Sequence, residues 1–161
     1  LAAAILGFFL LNYPWGRIFL GAAGAYTIGF VLAWFGISIM LNAPNVSPWA
    51  MLLTVFWPFA DTCLAIFRRA RRRADVTSPD RLHVHQMVMR ALEICFLGRN
   101  RRHLSNPLTT LVLSPLVCAP PIAGALLWNQ NQYAFLALAG FCMVFFASYA
   151  AVPRVIRHFR L

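Results

Sequence analysis

The sequence contains no lysine, three aspartates and a single glutamate, and charged residues of both signs make up only 11% of its 161 positions. A soluble domain carries about 25% charged and about 45–50% apolar residues, whereas 61% of this chain is hydrophobic. Such a composition cannot cover a water-facing surface, which excludes an ordinary soluble domain. The cysteines Cys63, Cys95, Cys118 and Cys142 show no C-x-x-C spacing. That removes the usual metal and disulfide frameworks and leaves them as small buried hydrophobes. The chain has no internal repeat and no low-complexity linker.

What is present is apolar sequence in blocks. Ile18–Leu41, Trp49–Phe67, Pro107–Trp128 and Tyr133–Val152 are each uncharged or nearly so. Each has close to the ~20 residues that a helix rising 1.5 Å per residue needs to cross a ~30 Å hydrocarbon core. A fifth stretch, Leu1–Leu11, is too short to span. It begins without a methionine or a basic n-region and so is not a signal peptide. It reads as the tail of a helix, which makes the chain the carboxyl-terminal part of a longer protein. The fold expected is an all-α polytopic transmembrane helix bundle. It has about four full spans plus the end of a fifth, in one membrane-embedded domain over 1–161.

The net charge is +10. In a soluble protein that would suggest nucleic acid, but here the arginines follow the membrane. Most lie between Arg68 and Arg102, and Arg154, Arg157 and Arg160 lie near the end, while the links Asn42–Pro48 and Asn129–Gln132 carry no charge. Positive charge in short loops marks the cytoplasmic side. One path through the four spans puts every arginine cluster on that side, with 68–106 as a long cytoplasmic loop. The run Arg68–Arg73 is then a topology anchor against anionic lipid; binding of phosphate by one or two of its guanidinium forks is the sharper alternative.

Four places carry candidate chemistry. Asn12-Tyr13-Pro14-Trp15-Gly16-Arg17 interrupts the apolar sequence. The small residues Gly21 to Ala25 and Gly29 serve either close helix packing in lipid or a glycine turn whose backbone approaches a ligand. Asp61 lies on the third segment, about 10 Å below its cytoplasmic end. A carboxylate there costs on the order of 2.5–3.5 kcal/mol unless paired or wet. Either it is functional, or it caps the half-helix after Pro58, or it pairs with a loop arginine. Thr77 and Asp80 have capping-box spacing and Pro79 suits a first helical turn. A helix running to about Leu97 is therefore expected, lying along the interface on a stripe of Leu82, His85, Met89, Leu92 and Phe96. His83 and His85 diverge if both are helical and share a face if the stretch is extended. They are too few for zinc, which needs more ligands than the pair offers nearby. Their membrane side is that of Asp61 and the glycine turn.

Three stretches together resemble the polyprenyl-phosphate N-acetylhexosamine-1-phosphate transferases of the glycosyltransferase 4 group. They are Asn12-x-x-Pro-x-x-Ile18-Phe19-Leu20-Gly21-Ala22-Ala23-Gly24, then Pro58-x-x-Asp61 with the basic pair Arg68-Arg69, and Ser78-Pro79-Asp80-Arg81-x-His83-x-His85. The last is most similar to the bacterial enzymes that start O-antigen, common-antigen or teichoic-acid lipids. The resemblance implies an enzyme of the bacterial inner membrane, its active face cytoplasmic. It would pass a sugar-1-phosphate, typically GlcNAc-1-phosphate from UDP-GlcNAc, to undecaprenyl phosphate with Mg²⁺ or Mn²⁺. It implies that Phe19 stacks on or abuts the uracil, that Gly21 lets the backbone approach the nucleotide, and that Asn12 bonds the sugar or phosphate region. Arg81, His83 and His85 would line the diphosphate or sugar, with His83, His85 and Asp61 as catalytic candidates. A homo-oligomer stays open, and nucleic acid is not a partner.

Two departures stand out. The family's glycine turn normally continues with an aspartate that binds the metal, and here the position is Ala22, which cannot ligate a hard cation. Loss of such a ligand would cost several kcal/mol of transition-state stabilisation. Gln86 stands where a further histidine is common. The family's acidic cluster belongs to an upstream loop, so this fragment alone is expected to be inactive. A catalytically silent homologue that binds lipid phosphate or a partner is therefore the competing reading. A transporter segment is disfavoured, because 107–128 and 133–152 contain no acid or base.

Overall fold

Every regular element in the computed structural model is a helix, among the described residues 1–72, 83–98 and 101–158. They form two units, 1–46 and 47–161.

The first unit holds α1 (Ala2–Asn12), whose 11 residues are too few to cross a bilayer, and α2 (Gly21–Asn42) of 22 residues. The expected span Ile18–Leu41 starts later than its hydropathy suggests, because Gly21 has φ +70°. A left-handed residue cannot belong to a continuous right-handed helix, and only glycine adopts that conformation without strain. A Cβ built on Gly21 would meet nothing within 4 Å. The residue therefore answers to backbone conformation and not to crowding.

In the second unit the third apolar segment is not one helix, as Trp49–Phe67 implied, but two: α3 (Pro48–Thr54) and α4 (Phe56–Arg72), bent by 82°. Pro58 explains where the chain breaks. It has no N–H for the Thr54 carbonyl, and its ring would clash with that carbonyl in a continuous helix. The break at Val55 moves Pro58 into the first turn of α4, where an N–H has no intrahelical partner in any case. Pro48 occupies the corresponding start of α3.

The two long helices α6 (Arg102–Leu126) and α7 (Asn131–His158) form the frame. Four prolines, Pro107, Pro115, Pro120 and Pro121, lie inside α6. In lipid a freed backbone carbonyl must find another donor. The Leu111 carbonyl, which Pro115 cannot serve, accepts Ser114 Oγ at 3.1 Å.

Helix α3 packs against both α6 and α7 and supplies the centre of the core, with Leu53 at 0% exposure and Ala50 at 1%. Its start is fixed by two bonds: Ser47 N donates to the Trp128 carbonyl at 2.7 Å, and Ser47 Oγ to Asn131 Oδ1 at 2.9 Å. Gly124 lets α6 approach, since a Cβ there would lie 2.6 Å from the Ala50 carbonyl oxygen. Phe56 and Trp57 at the head of α4 meet Phe145 edge-on, with centroids 6.2 and 5.3 Å away.

Helix α5 (Val84–Leu92) continues into a π-helical turn, Glu93–Leu97, and stops at Gly98 with φ +79°. The expected end near Leu97 is found; the expected start at Thr77–Pro79 lies outside the described residues. The expected stripe is corrected. Val84 and Met87 are the buried positions, with Val88 packed against the same core, whereas His85 is exposed. Pairing of His83 at the helix start sets this rotation.

Among the described residues three helices are long and apolar enough to cross a membrane, or four if the bent pair counts as one span. The chain is a multi-pass membrane protein with the expected all-α fold. Gly124→Ala should lower the thermal unfolding midpoint in detergent by several degrees, an overpacking cost of about 1–3 kcal/mol. Gly140→Ala, whose Cβ meets nothing within 4 Å, should leave it unchanged or slightly raised.

Candidate functional site

Asp61 lies in the second turn of α4, five residues past its start, so it caps no half-helix. Its Oδ2 is 2.6 Å from His83 Nδ1, the length of a charge-assisted hydrogen bond. The two side chains are 17% and 29% exposed. Of the three readings for the carboxylate, the structure thus shows pairing, with a histidine in place of a loop arginine. The other oxygen, Oδ1, is buried and accepts no hydrogen bond among the described residues.

Local backbone geometry delivers the histidine. His83 is the N-cap of α5, in extended conformation (φ −67°, ψ 146°), while His85 lies in the first helical turn. One extended residue followed by a turn of helix turns the two rings the same way. They stack with centroids 5.9 Å apart and planes 12° from parallel. His85 is exposed at its edge but covered on one face. That partial burial, and then the neighbouring His83, lower its pKa, and Asp61 offsets this only in part. His85 therefore offers a neutral imidazole at neutral pH.

At the arginine-rich end of α4, the Arg68 guanidinium lies 5.2 Å from the ring centroid of Tyr149 on α7, within cation–π range. Tyr149 was not legible as a site residue. The signal for it is an aromatic near the end of the last span, level with an arginine at the end of another. On a different face of α4, Phe59, Cys63 and Phe67 join Leu138, Cys142 and Phe146 of α7 around an apolar groove of about 530 Å³. Its phenylalanine rims are exposed at 52%, 60% and 56%, so the groove is open at the helix surface.

The structure brings Asp61, His83 and His85 together. Of the other candidate site positions, Asn12, Phe19, Gly21 and Ala22 belong to the first unit, and Arg81 lies outside the described residues. Asn12 Oδ1 accepts a long bond from Ile18 N at 3.4 Å and bridges the interruption. Phe19 is 95% exposed, its ring uncovered. Ala22 lies beside Gly21 in the first turn of α2. Among the described residues no three His, Cys, Asp or Glu side chains group to hold a metal ion, and Ala22 has no donor atom. These residues do not fit a divalent cation.

No family model and no solved structure matches the chain. Curated proteins do. The undecaprenyl-phosphate alpha-N-acetylglucosaminyl 1-phosphate transferase of Pasteurella multocida is 29% identical over 98% of the chain and 43% of its own length. Proteins of the same name from Salmonella typhi and Escherichia coli K12 are 36% and 35% identical over 55% of the chain and 26% of theirs. The resemblance is borne out to this extent: the chain is similar to transferases of this name. It spans less than half the length of these relatives.

The ring pair makes a pH prediction. His85 should protonate below the ordinary histidine value of about 6.5. Because its folded pKa is depressed, the stability tied to its neutral form is present above about pH 6.5 and is lost as pH falls toward the folded value. Histidine NMR titration of the detergent-solubilised protein checks the shift. His83→Gln, which removes the second of its causes, should move His85 part of the way back up.

Proposed function

We propose that this chain, a homologue of undecaprenyl-phosphate GlcNAc-1-phosphate transferases, is the membrane-embedded part of an enzyme of that kind. The enzyme would take a sugar-1-phosphate, GlcNAc-1-phosphate by the relatives' names, from a UDP-sugar to undecaprenyl phosphate. The reaction would run at the cytoplasmic face of a bacterial inner membrane and begin a cell-envelope glycan. The observation that carries the reading is the Asp61–His83 bond of 2.6 Å, made by a helix whose other wall lines an open apolar groove. An acceptor with a phosphate head and an isoprenoid tail needs both.

In the reaction, an oxygen of the lipid phosphate forms a bond to the sugar-bearing phosphorus. The bridging P–O bond breaks, and UMP leaves with the electron pair. Such transfers depend on positioning and on neutralising charge. Asp61, accepting from Nδ1–H, holds the His83 ring and leaves Nε2 to take the acceptor's proton or to bond a phosphate oxygen. His85, neutral, bonds the same group without adding fixed charge. The motif resemblance assigns Arg81 to the diphosphate, Phe19 to the uracil, Gly21 to the approach of the nucleotide, and Asn12 to the sugar or phosphate region. The apolar groove takes the isoprenoid tail. Mg²⁺ or Mn²⁺ is expected with this chemistry, but the residues described do not fit it, so these roles rest on the chain's own side chains.

Ala22 favours one second reading, a silent homologue that binds lipid phosphate or a partner without turnover. Membranes carrying the full-length protein, supplied with radiolabelled UDP-GlcNAc and undecaprenyl phosphate, separate the two when lipid-linked sugar and UMP are scored. Product from the unaltered protein, reduced about 10²- to 10⁴-fold by Asp61→Asn, supports the transferase. Product only after Ala22→Asp means that this position alone silences a complete site. Product from neither, with insertion intact, overturns the assignment of this donor and acceptor.

A further inference from the structure

The single glutamate of the chain lies at the far end of the same short helix that begins with His83. Glu93 opens the π-helical turn that follows α5, and its Oε1 accepts a 3.0 Å hydrogen bond from Ser105 Oγ. Ser105, in the first turns of α6, has 0% exposure. Its backbone N bonds the Arg101 carbonyl at 3.0 Å, and its own carbonyl accepts Thr109 Oγ1 at 2.7 Å. The serine is thus built into α6, and its hydroxyl reaches out to the end of α5.

Helix α5 has nine residues and is about 14 Å long. A helix so short has no stability of its own in isolation. It is tied to α4 by His83–Asp61 at one end and to α6 by Glu93–Ser105 at the other, with Val84 and Met87 buried between. An apolar pair in place of Glu93 and Ser105 would join the helices without desolvating a carboxylate. What a hydroxyl–carboxylate bond adds is a fixed distance and direction. The π-helical turn, an uncommon element that re-aims the side chains around it, carries the glutamate that makes this bond.

We propose that Glu93 and Ser105 form a positioning pair that clamps the distal end of α5 and so keeps His83 in register with Asp61. Without the clamp the distal end of the helix is free to swing about the buried Val84 and Met87, and the accompanying turn of the helix start shifts the His83 ring against Asp61. The effect on turnover rests on the reading of Asp61 and His83 as the transfer site. The effect on His83 does not.

The test uses the full-length protein in detergent, labelled with ¹⁵N-histidine. The low-field proton of His83 Nδ1 is assigned by its loss in His83→Gln. Ser105→Ala and Glu93→Ala should each broaden that resonance away or move it upfield. Glu93→Gln, which keeps an acceptor for Ser105, should retain it. Thr110→Val, at an exposed position of α6 whose hydroxyl bonds the Asn106 carbonyl, serves as the control and should leave it in place. In the UMP-release assay, Ser105→Ala should lower kcat about 10- to 100-fold, as for a misplaced catalytic group, with KM for the sugar nucleotide little changed. If Glu93→Ala fails to fold, Ser105→Ala against Glu93→Gln carries the comparison. An unchanged His83 resonance in Ser105→Ala overturns the proposal, as does loss of turnover in Glu93→Gln while the resonance persists, because the carboxylate would then act directly. A resonance that responds in a protein with no turnover upholds the clamp and removes the transferase reading.

Discussion

An ionisable carboxylate on a membrane helix has to be matched, and in this molecule the arrangement around Asp61 follows from that requirement. Unpaired at this depth it would cost several kcal/mol. It meets an imidazole at 2.6 Å, and the imidazole is there because His83 is extended and a helix begins at the next residue. The phase of α5 follows, with Val84 and Met87 inward and His85 outward. The stacked rings, and the neutral state of the second one, are consequences of the same step.

The backbone obeys a parallel rule. Every amide and carbonyl in the hydrocarbon region needs a partner within the protein, and the prolines make this demanding. Pro58 breaks the third apolar segment into two helices, and Ser114 supplies the Leu111 carbonyl that Pro115 cannot. The broken segment yields a short helix narrow enough to pack between α6 and α7, with Gly124 removing the side chain that would otherwise meet the Ala50 carbonyl.

Much of this was legible in the sequence because hydropathy and charge report on the membrane directly. The long helices, the inward-lying Asp61, the histidine pair and the end of the loop helix near Leu97 all leave local marks. The motif resemblance agrees with the similarity to curated proteins at 29% and 36% identity. What was not legible depends on contacts distant in sequence. Asp61 is the one charge in Trp49–Phe67 and lies past Val55, so the 82° bend there is invisible to a hydropathy window. Leu82-x-x-His85-x-x-x-Met89 is as good a stripe as Val84-x-x-Met87-Val88 until Asp61 chooses between them. The onset of α2 at Gly21 depends on one positive φ, which a run of small residues does not announce. Glu93 and Ser105 are twelve positions apart and form no recognisable motif.

The outward groove between α4 and α7 has a kinetic meaning. Its rims are phenylalanines at the helix surface, on a helix that the bend at Val55 redirects by 82°. Where lipid borders these helices, a molecule that occupies the groove comes sideways, by diffusion within the plane of the bilayer. Its encounter rate is then set by its mole fraction among the lipids and by membrane viscosity, and not by its concentration in water. For this wall of the protein, dilution of the cell's aqueous contents changes nothing, whereas a change in the lipid mixture changes occupancy at once.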